Sequence, residues 1–447
     1  MKKIVCILFV VCLISVIPSV PADSILNNEY SNIENKALFE EHLIEGVPYS
    51  YQEKFGCLFA SLDMIFKYHG KNSSLAKNVF YNGVPYSFIY QRNIKSFTTL
   101  PFPNPPYFSS FWWSTALGQG ADDYSFLGSV YGLNLSVSYP ESVVFNHYKA
   151  WNEWWPKVKN YITDDIPVCT GIDPCSWPIY LEFKNLTKPI SGRGGHAIVI
   201  VGFNEKNRTI CVQDPMAGSE DYYNPGRIGY QWISFFDFKR SMRRSYWEFS
   251  ENSYWIIAVD NVSNTPDYDY SFRVAHNRNI QRLKGNKSAY DKIYLDNFKF
   301  FGIDALTALR DQYKSLKLCF LLPFFRVSAK ITANSRNPLP FGWTAGGFKI
   351  QALEDLYVSE FLNETKTELT DEDLSIICDY ESVLFKNASE NFFQLGNLTF
   401  NLNIAFSQRS LIKSIIDAKA IIADCVLILD DLISIHEKII AGPFEEV

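Results

Sequence analysis

The sequence predicts an α+β first unit followed by a mostly α-helical second unit. Between residues 44 and 260, short apolar strand patterns alternate with amphipathic helix patterns. After residue 285 the strand patterns stop, and charged segments of helical length follow. The chain has 447 residues, more than the ~250–300 that a single hydrophobic core usually spans, so we expect two domains.

Composition indicates a globular protein and argues against nucleic acid as a ligand. Hydrophobic residues make up 47% of the chain and charged residues 20%, which leaves enough apolar material for well-packed cores. The 42 Lys and Arg residues, against 48 Asp and Glu residues, give a net charge of −6. Because a nucleic-acid interface needs a basic surface, we expect no nucleic-acid partner.

The first residues have the pattern of a secretory signal peptide. Lys2 and Lys3 precede an apolar run from Ile4 to Ile17, and Val20-Pro21-Ala22 offers small residues for cleavage. The run is shorter than the ~20 residues of a membrane-spanning helix, although an uncleaved anchor is the alternative. We therefore predict a signal peptide over residues 1–22, a secreted or extracytoplasmic protein, and no membrane span after cleavage.

Sequons for N-glycosylation agree with export and would make the protein a glycoprotein in a host that uses them. The sequons begin at Asn72, Asn134, Asn185, Asn207, Asn261, Asn286, Asn363, Asn387 and Asn397.

Cysteine usage leaves disulfide pairing open. Nine cysteines are present, and loss of Cys6 and Cys12 with the signal would leave an odd number and at least one free thiol. Two pairs are conceivable. They are Cys169 with Cys175, in a small loop, and Cys378 with Cys425, between two helices. No C-x-x-C or H-E-x-x-H pattern occurs, so we expect no zinc site.

The predicted domain organisation follows the change near residue 262 from strand-like to helix-like sequence patterns. A signal peptide covers residues 1–22, and a polar lead-in covers 23–43. The first domain covers residues 44–260, a linker covers 261–285, and the helical domain covers 286–447. The helical domain would close one side of a cleft or recruit substrate.

Periodicity predicts the elements of each domain. Apolar residues recur near the 3.6 period from Cys57 to Tyr68, and Gly70 follows as a stop, so this segment is predicted as a helix. Residues 97–113, where prolines interrupt aromatic residues, are predicted as a loop that is either a substrate platform or a packed surface segment. Strands are predicted over residues 166–169, 197–203, 209–213 and 254–259, and further helices over 151–162, 288–317, 349–363, 370–394 and 408–440.

Cys57 lies where a loop meets the first predicted helix. A thiol at a helix N-terminus feels the positive end of the helix dipole, which favours the thiolate. Gln52 lies five residues earlier, and its amide is able to donate to an oxyanion beside the Cys57 backbone N–H. Taken alone, a cysteine is more often a buried structural residue, and a glutamine is more often a surface residue.

His196 opens an otherwise apolar strand after two glycines, and Asp214 ends the next strand. If these strands pair across the turn at Asn204–Asn207, Asp214 lies beside His196 and can fix the imidazole tautomer, as a catalytic triad requires. Each residue alone has an ordinary structural explanation. Their order along the chain predicts a triad of Cys57, His196 and Asp214.

Three stretches of sequence carry a resemblance to a known family. They are Pro48-Tyr49 with Gln52, Gly56-Cys57 with Ala60-Ser61-Leu62, and Gly195-His196 through Gly202-Phe203 followed by Gln213-Asp214-Pro215. In this order they resemble papain-like cysteine peptidases, above all the bacteriocin-leader-processing peptidases of peptidase C family thirty-nine and their like domains. The resemblance covers about residues 44–260. It implies a papain-like cysteine peptidase fold, with a nucleophilic cysteine at position 57.

A second resemblance accounts for more of the chain. Residues 78–90, 176–180 and 301–306 look similar to segments of the butirosin-biosynthesis protein H acyltransferase family, in which a helical domain follows a similar N-terminal domain. This resemblance implies acyl transfer to an amine. The peptidase pattern also has a departure, because Leu58-Phe59 follows Cys57 where the family usually has Gly-Pro.

We therefore predict an exported cysteine hydrolase, either a peptidase or an amidase. Cys57 attacks the carbonyl of a peptide or of a small-molecule amide or acyl substrate, and His196 transfers protons. Asp214 orients His196, Gln52 and the Cys57 N–H hold the oxyanion, and no metal or organic cofactor is needed. The alternatives are an acyltransferase with the same acyl-enzyme and an inactive binding protein on the same fold.

Overall fold

A seven-stranded antiparallel sheet forms the centre of residues 41–262. The structure, a computed structural model, describes residues 40–52, 56–91, 111–113, 121–138, 147–189, 195–219, 225–244, 254–264, 266–289, 300–314, 340–408 and 410–443. The strands of the sheet are β1 (Glu41–Leu43), β4 (Leu133–Ser138), β5 (Val168–Ile172), β6 (His196–Asn204), β7 (Thr209–Gln213), β8 (Tyr230–Ser234) and β9 (Ile256–Val262). They follow the order β4-β9-β5-β6-β7-β8, and β1 pairs with β6.

β6 is the central strand because its sequence is apolar on both faces. Every residue from His196 to Phe203 is buried, as expected for a strand that is covered on both sides. β5 pairs with the first half of β6, β1 pairs with its second half, and β7 lies along the other edge. A Cβ at Gly202 would lie 2.7 Å from the carbonyl oxygen of His42, so glycine permits the close approach of β1.

Six helices lie in the described part of this half of the chain. They are α1 (Cys57–Tyr68), α2 (Leu75–Asn82), α3 (Ala121–Ser129), α4 (His147–Thr163), α5 (Pro178–Phe183) and α6 (Phe235–Arg244). The bounds of α1 match the prediction, and Gly70, with φ of 70°, follows its C-terminus. α1 is buried from Leu58 to Phe66 and packs against β5 and β6.

A small three-stranded sheet joins the two halves of the chain. Its strands are β2 (Ile89–Gln91), β3 (Phe111–Trp113) and β10 (Phe300–Phe301), in the order β10-β2-β3. The predicted aromatic loop over residues 97–113 therefore ends in a strand, because the aromatic run at its end pairs with β2. The rest of that loop lies outside the described residues.

The second half is helical, which confirms the α+β class. The helices described there are α7 (Tyr268–Leu283), α8 (Ile303–Lys314), α9 (Pro340–Thr365), α10 (Glu372–Ser407) and α11 (Leu411–Ala441). Asp371 caps α10 by accepting a hydrogen bond from the Leu374 N–H, and Ser410 caps α11 in the same way from Lys413. α9 packs on α10 and α10 packs on α11, as short connections between consecutive helices favour.

Several sequence predictions concern the boundaries of these halves. Residues 261–285, predicted as a linker, contain α7, and residues 41–447 form one compact unit. The domain boundaries at 44–260 and 286–447 therefore stay predictions. The predicted lead-in over residues 23–43 ends in β1, and the predicted signal peptide lies outside the described residues.

Two further features bear on export. No helix in the described part of the chain is both long and apolar enough to cross a bilayer. Cys169, Cys378 and Cys425 are buried thiols without a disulfide. The two disulfides considered from the sequence are therefore not formed.

Arg282 on α7 attaches the helical half to the sheet half. Its side chain is 1% exposed, and it donates to the carbonyl oxygens of Asn82 and Ala289 at 2.7 Å and 2.8 Å. It also donates to the Ser87 hydroxyl at 3.0 Å and to the carboxylate of Asp123. A buried charge paired with a buried carboxylate explains why a polar segment, which the sequence suggested to be a linker, is an ordered helix.

We expect Arg282→Leu to lower the free energy of unfolding by about 3–5 kcal/mol, since it breaks a buried charged network. Arg273→Leu on the same helix is the control, because Arg273 is 49% exposed and pairs with Asp371 at the surface. The control should cost less than about 1 kcal/mol. Urea unfolding followed by circular dichroism measures both, and equal losses would contradict the assignment of Arg282 as the attachment.

Candidate active site

Three elements meet at one end of the strands of the large sheet. β6 begins there, β7 ends there, and α1, which packs on β6, begins with Cys57. The β6–β7 hairpin pairs Val199 with Gln213, so Asp214, the next residue, lies close to the start of β6. The hairpin turn is closed by the Asn207 N–H, which donates to the Asn204 side-chain oxygen at 2.7 Å.

The side chains of His196 and Asp214 are in direct contact. Nε2 of His196 lies 2.7 Å from Oδ1 of Asp214, and the two side chains are 5% and 0% exposed. The Met216 N–H donates to the same carboxylate oxygen at 2.9 Å, and Trp177 Nε1 donates to the other oxygen at 2.6 Å. Three donors therefore fix the orientation of the Asp214 carboxylate.

The Cys57 thiol is half-buried and forms a hydrogen bond with the His196 imidazole. Because Nε2 of His196 faces Asp214, Nδ1 is the ring nitrogen that faces the sulfur. The backbone N–H groups of Leu58 and Ala197 also donate to the sulfur. The residue before Cys57 is Gly56, where a Cβ would lie 2.5 Å from Leu75, so glycine lets α2 pack beside the start of α1.

Opposed effects set the charge state of this pair. Burial raises the pKa of the Cys57 thiol, but the hydrogen bond and charge of His196 and the two backbone N–H groups outweigh burial, so the net pKa is lowered. Burial lowers the pKa of His196, but the charge of Asp214 and the hydrogen bonds to Asp214 and Cys57 outweigh it, so the net pKa is raised. Both shifts favour a thiolate–imidazolium pair.

Gln52 lies beside the segment that follows Asp214. Its backbone N–H donates to the Pro215 carbonyl oxygen at 2.9 Å, and the residue is 6% exposed. Its side-chain oxygen is buried and accepts no hydrogen bond. The structure thus brings Cys57, His196 and Asp214 into contact, whereas the Gln52 amide bonds to none of them among the described residues.

Sequence reasoning assigned no role to two residues that hold Asp214. Trp177 lies in a short turn after β5, where no periodic pattern marks a function. The Tyr49 hydroxyl donates to the Asp214 carbonyl oxygen at 2.8 Å, across 165 positions of sequence. The only available signal was their inclusion in the stretches that resemble known families.

The Leu58-Phe59 pair, which departs from the family pattern, faces the protein interior. Leu58 is 5% exposed and Phe59 is 6% exposed, and both belong to the hydrophobic core. Their bulk therefore fills the core beneath α1. Among the described residues, no group of His, Cys, Asp and Glu side chains is arranged to hold a metal ion.

Comparisons with known proteins concern the family of the first half of the chain. Residues 44–236 match the sequence model of the Peptidase_C39 like family. A crystal structure from Bacillus anthracis, described as a C39-like peptidase, is 12% identical to the chain, with a TM-score of 0.29. The match covers 50% of this chain and 99% of that one. No curated protein matches the chain.

Proposed function

Residues 44–236 form a papain-like domain of the Peptidase_C39 like family, and we propose that the chain is an exported cysteine hydrolase. Its substrate is a peptide or a small-molecule amide or acyl compound. The observation that carries the proposal is the continuous contact from Cys57 through His196 to Asp214. Export rests on the signal pattern of residues 1–22.

The proposed reaction begins from the thiolate–imidazolium pair. The Cys57 sulfur attacks the substrate carbonyl carbon, a C–S bond forms, and the carbonyl π electrons move to the oxygen. When this tetrahedral intermediate collapses, the C–N bond breaks and the leaving amine takes the proton from Nδ1 of His196. The products of this half-reaction are a free amine and a thioester on Cys57.

Hydrolysis of the thioester restores the enzyme. His196 Nδ1 accepts a proton from a water molecule as the water oxygen attacks the acyl carbon. The C–S bond then breaks, which releases the carboxylic acid and returns Cys57 to the thiolate. Asp214 stays ionised throughout, holds the imidazole with Nδ1 toward the sulfur, and stabilises the imidazolium.

Gln52 and the Cys57 backbone N–H are proposed to bind the oxyanion. Leaving a buried amide oxygen without a hydrogen bond costs about 1–3 kcal/mol, so the unpaired Gln52 side chain calls for an explanation. A substrate N–H would satisfy this oxygen, and the Nε2 group of the same side chain would donate to the oxyanion. Stabilising an oxyanion with such a donor is worth about 10²–10³ in kcat.

Acylation by p-nitrophenyl acetate tests the proposal, since this ester needs no specific binding. We expect a burst of p-nitrophenol and one acetyl group on Cys57, identified by peptide mass spectrometry. Cys57→Ser should abolish both signals, and Cys211 is the internal control because it is fully buried within β7. A chain that is not acetylated at Cys57 would be a binding protein.

The same experiment separates hydrolysis from acyl transfer. A hydrolase releases acetate at a rate that added amines leave unchanged. An acyltransferase holds the acetyl group until an amine such as glycinamide is added, and the amide then accumulates. Release that depends on the amine would therefore overturn hydrolysis while retaining the acyl-enzyme.

A further inference from the structure

An apolar stripe runs along the outer face of α11. We name it the α11 stripe, and its residues are Ile412, Ile416, Ala420, Ala423 and Leu427. Their spacing keeps all five on one side of the helix. The three large side chains are 72%, 60% and 62% exposed, in chain order, and both alanines are exposed. The opposite side of α11, including Cys425 and Leu429, is buried in the core, so the stripe faces away from the side of α11 that packs on the described residues.

Two unpaired charges of opposite sign flank the α11 stripe. Lys413 and Asp431 are 18 positions apart, which is five full helical turns, so they lie on the same flank of α11. Both residues are exposed. Neither has an ion-pair partner among the described residues, in contrast to Asp430, which pairs with Arg310 at 3.1 Å.

Two copies of α11 place these opposite charges face to face only when the two helices are antiparallel. In an antiparallel helix pair related by a two-fold axis, the same flanks of the two helices face each other. An axis near Ile422 that brings Lys413 opposite Asp431 of a second copy also brings Ile416 beside Leu427 of that copy. The alanines then meet at the centre, where small side chains let two helices approach closely.

We propose that the α11 stripe pairs antiparallel with the α11 stripe of a second copy of this chain. The flanks favour this occupant over a lipid surface, because two basic residues, Lys413 and Lys419, are balanced by two acidic residues, Asp424 and Asp431. An anionic membrane attracts a surface whose charges are mainly basic, which this one is not. In the antiparallel pair, Lys413 of one copy faces Asp431 of the other, and this contact occurs twice.

The dimer is expected to be weak. The α11 stripe spans about 22 Å of helix at 1.5 Å per residue, so a single helix pair gives an interface below the standard size for stable complexes. We expect a dissociation constant of about 1–100 μM. A reversible monomer–dimer equilibrium should therefore be visible over an ordinary range of protein concentration.

Sedimentation equilibrium of the full mature chain with charge-reversed variants tests the proposal. Lys413→Asp and Asp431→Lys should each weaken dimerisation about tenfold or more, because like charges then face each other twice in the symmetric pair. An equimolar mixture of the two variants should form a heterodimer, since each position again faces its opposite charge. The double variant should regain the homodimer.

Other variants keep the test decisive. Ile416→Glu places a charge in the centre of the apolar contact and should give a monomer. Phe400→Ser removes an apolar side chain on α10 that is 51% exposed and lies outside the α11 stripe, so it should leave the equilibrium unchanged. A wild-type chain that stays monomeric at several hundred micromolar, or a mixture that fails to associate, would overturn the proposal.

Discussion

Replacing His196 by alanine is expected to slow acylation of Cys57 by about 10²–10⁴-fold, the range that a positioned acid–base group contributes. The pH dependence of Cys57 alkylation is the more direct test of whether His196 activates the thiol. In the wild type, the hydrogen bond and charge of His196 hold the pKa of the Cys57 thiol below its ordinary value. The rate of alkylation by iodoacetamide should therefore reach half its maximum at a pH below the ~8.5 of a free thiol.

The direction of the shift in His196→Ala follows from the effect that remains. Burial is the largest influence on the pKa of Cys57, and it acts upward. Without the imidazolium, only the backbone N–H groups of Leu58 and Ala197 oppose burial. The half-maximal pH of alkylation should therefore rise toward or above the ordinary value, and labelling below the ordinary pKa of a thiol should fall.

A histidine at the other end of the same helix provides the matched control. His69 follows α1 at its C-terminus and is part-buried, so His69→Ala changes the helix without touching the sulfur. This variant should be alkylated at Cys57 with the wild-type pH dependence. If His196→Ala also retained the wild-type profile, the thiol would not be activated by His196, and both enzyme hypotheses would fail.

The contact among Cys57, His196 and Asp214 could be predicted because each of its parts depends on local sequence pattern. The 3.6-residue period placed Cys57 at the start of α1, and two apolar runs with a short turn gave the β6–β7 hairpin. Because the two strands of a hairpin are antiparallel, the start of β6 and the end of β7 lie side by side. His196 and Asp214 therefore come together at the same end of the two strands. Two local predictions, one helix start and one hairpin, were therefore enough to place three residues that are far apart in sequence.

The support of Asp214 and the attachment of the helical half could not be predicted in this way. Trp177 meets Asp214 through a loop conformation that no period describes, 37 positions away. Arg282 makes its hydrogen bonds across as many as 200 positions of sequence. In a sequence, a buried polar side chain cannot be told from a surface residue. Only the tertiary structure shows that it is buried and which groups form its hydrogen bonds.

Asp214→Asn is expected to lower the rate of acylation by about 10²–10⁴-fold, although it changes one oxygen to an NH₂ group. Three donors converge on the Asp214 carboxylate, from His196, Met216 and Trp177. An asparagine presents a single acceptor oxygen, so its NH₂ group must face either the indole N–H or the imidazole. The first arrangement places two donors together, and the second imposes the wrong imidazole tautomer.

The pH profile of Asp214→Asn should narrow from both sides. The charge of Asp214 helps to raise the pKa of His196, so its loss lowers that pKa and moves the alkaline limb of the profile to lower pH. A less stable imidazolium supports the thiolate less well, so the acid limb, set by Cys57, moves to higher pH. A stopped-flow acylation profile measures both limbs.

A second substitution distinguishes this explanation from a general loss of structure. Trp177→Phe alone keeps the Asp214 carboxylate and removes one donor, so it should cost about 1–3 kcal/mol of stability and little activity. In the double variant with Asp214→Asn, the NH₂ group faces a phenyl ring, and the amide oxygen is free to accept from His196 and Met216. Activity should therefore recover relative to Asp214→Asn alone. The double variant would then be more active than the sum of the two single effects predicts. Additive losses would mean that the indole donor does not determine how residue 214 holds His196.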